Sequence, residues 1–96
     1  MTVHVIIKRK LIVNDPEKLI PMMKELSERA QQQEGYISSD TLQSIENPGE
    51  YLVISRWETE ENWNAWFQSK ERRDIQGKID SLIGERTFYE LFRSAG

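Results

Sequence analysis

The sequence predicts an α+β domain of order β-α-β-β-α-β, a four-stranded antiparallel sheet with its helices on one face. Three observations predict it. Apolar residues alternate over residues 3–13 and recur through 51–58, as strands require. Between them Leu19, Ile20, Met23, Leu26 and Ala30 recur at helical spacing. Asn47-Pro48-Gly49-Glu50 has turn chemistry between two strand-like runs, which makes those runs a hairpin.

Taken in order, the first strand alternates Val3, Val5, Ile7, Leu11 and Val13 with His4, Ile6, Lys8, Lys10 and Ile12. A helix comes next. Asn14 or Asp15 caps it, Pro16 suits its first turn, Glu25 and Arg29 pair along its outer face, and Gly35 stops it. The second strand, 36–46, is more polar than the first and leads through the turn into the third, 51–58. Thr59 caps a second helix running from Glu60 to at least Ile75, with Glu60 and Glu61 complementing the helix dipole. Gly77 and Gly84 interrupt the segment after Ile75, and Ile79, Leu82 and Ile83 form a short extra helical piece. Residues 85–93 are the last strand. This is the ferredoxin-like order. In it the first and third strands are central, and here both carry apolar residues on both faces. Two helices cover only one face, so a homodimer packed sheet to sheet is expected.

Ninety-six residues make a single domain, 1–96. A chain of this size buries about 60–65% of its unfolded surface. With 13 basic and 16 acidic residues and no basic cluster, nucleic acid is an unsuitable partner. The absence of cysteine excludes disulfides, thiolate metal sites and cysteine nucleophiles. The N-terminal run is too short for a signal peptide or a membrane span, which fits a cytoplasmic protein without membrane contact. No phosphate loop, nucleophile elbow or metal-binding cluster is present.

All three tryptophans lie in one stretch, Ser55-Arg56-Trp57-Glu58-Thr59-Glu60-Glu61-Asn62-Trp63-Asn64-Ala65-Trp66-Phe67-Gln68-Ser69. Such a corner is either core or the lining of a pocket for a flat ligand. His4, the only histidine, shares the face opposite Val3 and Val5 and cannot build a zinc site alone. Arg9 shares the parity of Val5 and Ile7. Inward, it needs a ligand or a carboxylate such as Glu90; surface pairing is the ordinary outcome. Glu58, Glu60 and Glu61 read as a solvated helix start. Tyr36, Tyr51 and Tyr89 read as strand residues, none of them singled out as a donor.

The tryptophan stretch, with Gly35-Tyr36 ahead of the second strand, resembles the antibiotic biosynthesis monooxygenase superfamily, whose members are dimeric α+β barrels. The shared pattern is a Trp closing the third strand, a polar helix start, an aromatic residue six positions on, then Trp and Ser. One branch oxidises polycyclic phenols with dioxygen and no cofactor. By resemblance its cavity lies between sheet and helices and is lined at Trp57. The aromatic acid–base position falls on Trp63, which has no phenol and reads as packing. The expected amide falls on Val53, and the expected helix arginine near Gly77, beside Arg73 and Lys78. A second branch degrades haem. Its Trp matches Trp66, but its axial His falls on Gln76, a poor iron ligand, and its first-strand Asn on Arg9. The resemblance therefore implies a cofactor-independent monooxygenase for a small aromatic phenol or quinol. Trp57, Trp66 and Arg9 would bind substrate, and Arg9 is the catalytic candidate. The other reading is a non-catalytic dimeric binding domain for a small aromatic molecule.

Overall fold

Burial alternates strictly along the first strand, β1 (Val3–Lys10): Val3, Val5, Ile7 and Arg9 are buried, while Lys8 and Lys10 are exposed. That parity fixes which face carries the helices. The computed structural model describes residues 2–10, 16–83 and 86–96, and the remaining elements are α1 (Pro16–Ala30), β2 (Tyr36–Gln43), β3 (Glu50–Trp57), α2 (Glu60–Gln68), α3 (Lys70–Ile83) and β4 (Phe88–Arg93). The expected cap residues 14 and 15, the strand residues 11–13, Gly84 and Glu85 lie outside the described residues.

The sheet is antiparallel with order β2-β3-β1-β4, so the two most apolar strands are central as expected. Register places Ile7 opposite Val53 and Tyr89, and Arg9 opposite Tyr51. The covered face joins Val5, Trp57 and Tyr51 to Leu19 and Met23 of α1 and to Ile75, Ile79 and Ile83 of α3. The opposite face is left open. Ile6, Leu52 and Ile54 are only half-buried there, and Phe88 is 62% exposed. Arg56 holds one flank of that face through Asp40, 3.1 Å away, and Ser38, 3.2 Å away.

Several boundaries differ from the sequence expectation, each for a local reason. α1 ends at Ala30, before Gly35, in a turn closed by Gln33 N donating to Ala30 O at 3.0 Å. Gly35 serves the entry to β2 instead. Its φ is +85°, a Cβ there would run into the Asn62 side chain, and its carbonyl accepts from Glu58 N at 2.7 Å. Ile20 is 51% exposed because the buried stripe is narrower: Leu19, Met23, Leu26 and Ala30. Glu25 and Arg29 do pair, at 3.5 Å.

The second helix is two helices. Ser69 breaks it with an extended backbone (ψ 144°), and its hydroxyl donates to Trp66 O at 2.7 Å and accepts from Arg72 N at 3.1 Å. One serine thus ends α2 and starts α3. Gly77 does not interrupt; α3 runs through it to Ile83. β2 stops at Gln43, and β4 starts only at Phe88.

Candidate functional site

Thr59 starts α2 as its N-cap, accepting from Asn62 N at 3.0 Å, and this aims the helix's apolar stripe back across the end of β3. Trp57, fully buried, then meets Trp63 edge-on at 5.8 Å between ring centroids and Tyr36 at 5.5 Å. The cluster continues through Trp63 to Phe67 at 5.6 Å and Tyr89 at 6.1 Å. Core and pocket are not alternatives here. The same indoles that pack the core wall a cavity of about 50 Å³ between sheet and helices, lined by Trp57, Trp63, Trp66 and Arg9 among others. Trp63 is a wall residue as well as a packing residue.

Around the indoles the wall is hydroxylic: Ser27, Tyr36, Ser39, Thr41 and Ser55 all line it. The Trp57 indole N–H donates to Ser55 Oγ at 3.2 Å, and the Tyr36 and Ser39 hydroxyls lie 2.7 Å apart. Val53, at the expected amide position, adds an apolar patch. The cavity has about a third of the volume that admits a benzene ring and room for one or two waters. A larger hollow of about 550 Å³ lies between α1 and β2, and Met23, Ser27 and Thr41 border both spaces.

Arg9 faces the covered side, 2% exposed. Its partner is neither a surface carboxylate nor Glu90, which register places opposite Ile6 on the open face. Instead its Nη2 donates to Gln76 Oε1 at 2.9 Å. Gln76 Nε2 in turn donates to Asp80 at 2.8 Å and to the buried Thr87 hydroxyl at 3.0 Å. Arg9 Nε is buried without a hydrogen-bond partner among the described residues. Burial pulls the guanidinium below its ordinary pKa. Tyr89 opposes that shift, neighbouring Arg72 adds to it, and Asp80 opposes it. An arginine so placed stays protonated at neutral pH and offers an unused donor.

Gln76, at the position of the axial histidine in haem-degrading relatives, has both ends of its amide engaged, so the residues present do not fit an iron ligand there. Arg73 and Lys78, beside the expected helix arginine, are exposed and outside the cavity lining. The sequence reading missed Arg72. Its guanidinium lies 4.3 Å from the Phe67 ring centroid, Nε donates to Phe67 O at 2.7 Å, and Nη1 donates to Tyr89 Oη at 2.9 Å. Helical periodicity would have found it: Arg72, Ile75, Gln76, Ile79 and Ile83 form one buried stripe. His4 lies on the open face, opposite Arg56 and Phe92. Among the described residues no group of three or more His, Cys, Asp or Glu gathers to hold a metal, and no helix is long and apolar enough to cross a membrane.

Comparison with known proteins agrees with this layout. The fold superimposes on SnoaB, a cofactor-independent oxygenase from Streptomyces nogalater, with a TM-score of 0.89 at 12% identity, covering 99% of this chain and 94% of that one. It superimposes equally well on a conserved protein from Methanosarcina mazei Go1, with a TM-score of 0.88 at 19% identity over 97% of this chain and 92% of the other. At such identities the likeness shows the fold. Protein SchA of Streptomyces halstedii is 27% identical over 66 residues, 69% of this chain, and the match spans only 17% of that protein's length. A sequence profile of the antibiotic biosynthesis monooxygenase family matches residues 3–78. Spanning the first three strands, the tryptophan corner and most of α3, that match shows that the chain belongs to the antibiotic biosynthesis monooxygenase family.

Proposed function

We propose that the protein is a cofactor-independent oxygenase of a small aromatic phenol or quinol. The observation that carries this reading is the buried Arg9 guanidinium, with a free Nε–H, in the wall of a tryptophan-lined cavity. A phenol that has lost its proton is its own reductant. Dioxygen takes two electron pairs from it; one oxygen atom becomes the new ring carbonyl and the other leaves as water with the two displaced hydrogens. The protein's part is to stabilise the substrate anion and exclude bulk water. Arg9 supplies positive charge in a site of low dielectric, and Trp57 and Trp66 supply the dry aromatic wall. Family membership and the likeness to SnoaB support the reaction class.

The test is oxygen uptake with a panel of hydroquinones and no added cofactor. The expected result is one dioxygen consumed per hydroxyquinone formed, with one of its oxygen atoms in the product and no hydrogen peroxide released, falling to background in a Trp57→Ala, Arg9→Ala double variant. Equal rates in the two proteins would refute it.

One observation favours a second reading, a non-catalytic binding domain. Among the described residues no carboxylate or imidazole lines the cavity, so none of them is a conventional base ready to take the phenol's proton. Ligand binding without product, at a pH where the free phenol autoxidises slowly, would select that reading.

In either case we propose a homodimer formed through the open sheet face, where Ile6, Leu52, Ile54 and Phe88 lie together. Light scattering at micromolar concentration is expected to give twice the 11.3 kDa chain mass; a monomer would refute it. A cytoplasmic setting goes with this reading, and fractionation of the native host checks it.

A further inference from the structure

The inner cavity is too small for the molecules that its aromatic wall suits, and the adjoining hollow is not. At about 550 Å³ the groove between α1 and β2 falls within the usual range of small-molecule sites. Tyr51 and Met23 line it, and two exposed apolar side chains flank it, Ile20 at 51% and Leu42 at 48% exposure. Neither belongs to the core cluster. The groove meets the inner cavity at Met23, Ser27 and Thr41. The side-chain tie across that mouth is weak: the Ser27 and Ser39 hydroxyls stand 3.5 Å apart, at the limit of a hydrogen bond. β2 is also an edge strand, paired among the described residues to β3 alone, so its mouth-side residues are held there from one side.

The two spaces differ in chemistry as well as size. The groove presents apolar walls with a polar rim. The inner cavity presents hydroxyls and the guanidinium of Arg9, whose buried Nε–H lacks a partner among the described residues. We infer that groove and cavity form one bipartite site: the groove seats the flat apolar body of an aromatic acid, and only its anionic oxygen end, carboxylate or phenolate, passes Thr41 to reach Arg9. A neutral apolar end would leave the guanidinium donor unpaired against it. The inference rests on the ligand site of the proposed oxygenase and specifies its substrate class.

The test is isothermal titration calorimetry with 2-naphthoate and its neutral isostere 2-naphthamide. Wild-type protein is expected to prefer the carboxylate by about tenfold or more, as a hydrogen bond to a charged group provides. Arg9→Met should reduce that preference to about one, and Arg9→Gln repeats the charge test if the methionine variant does not fold. Thr41→Phe at the mouth should weaken both ligands alike, by about tenfold, and Lys24→Phe on the exposed groove side of α1 should weaken both by at least that, the carboxylate more because a groove cation is lost with it. The inference is overturned if neither ligand binds, if the carboxylate preference survives loss of Arg9, or if both groove variants bind as wild type does. Binding is read without turnover, so tight binding with no oxygen uptake from phenols sinks the oxygenase reading alone. Oxygen uptake that Thr41→Phe and Lys24→Phe leave unchanged sinks the groove alone.

Discussion

Gln76→Leu probes the brace of Arg9, the one charged side chain among the described residues that line the inner cavity. The substitution keeps side-chain size and removes an amide that accepts from Arg9 at 2.9 Å and donates to Thr87 at 3.0 Å. Arg9 then has Nη2 as well as Nε unpaired in a site where it is 2% exposed. Loss of a hydrogen bond to a charged group accounts for about 1.5–3 kcal/mol, and the stranded Thr87 hydroxyl for about 1 kcal/mol more. Asp80 is exposed and turns to water, adding little. The expected loss is about 2.5–4 kcal/mol, or roughly 10–30 °C in Tm for a domain of this length. Urea unfolding is the assay, because an ionic denaturant would screen the charge. Arg9→Met alone, which strands the Gln76 oxygen but removes the orphaned Nε, should lose about 1–2 kcal/mol. The double variant should be less destabilised than the two single effects combined by at least about 1 kcal/mol, since both halves of the polar contact are then gone. A loss below about 1 kcal/mol for Gln76→Leu, or additivity within about 0.5 kcal/mol, would show that the brace is not what holds Arg9.

Other expectations concern single positions. Gly35→Ala should destabilise by at least about 2 kcal/mol, given its left-handed φ and the Asn62 side chain in the way, whereas Gly77→Ala, in open space on α3, should stabilise by about 0.4–1 kcal/mol; thermal melts of the pair check the contrast. Ser69→Ala removes a side chain that serves two helix ends and should cost about 1–2 kcal/mol in urea unfolding. Ile54→Asp, on the open face opposite Ile6, should yield a monomer by light scattering while circular dichroism stays native; an unchanged dimer would place the interface elsewhere.

Strand parity made much of the site legible. It put Arg9 and Trp57 on the covered face and His4 on the open one, because a period of two leaves no third choice. Helix-borne features were harder to read. Arg72 and Gln76 occupy stripe positions normally held by apolar residues, and a polar residue at such a place is legible only if periodicity is trusted over residue type. The Ser69 break leaves little trace, since serine, lysine and glutamate all tolerate a helix interior; the kink depends on Trp66 O and Arg72 N both finding the same hydroxyl. Cavity size depends on how indoles, Met23 and Val53 close on one another in three dimensions, which no spacing encodes.

The alternation of β1 has a consequence for how such a protein can change. Val5, Ile7 and Arg9 point toward the cavity and core; His4, Ile6 and Lys8, interleaved with them, point to the open face. Two separate surfaces are thus written along one strand, a single residue apart. Mutations in neighbouring codons reach different surfaces, so the open face can change while the cavity wall stays fixed, and the cavity wall can be reshaped while the open face is kept.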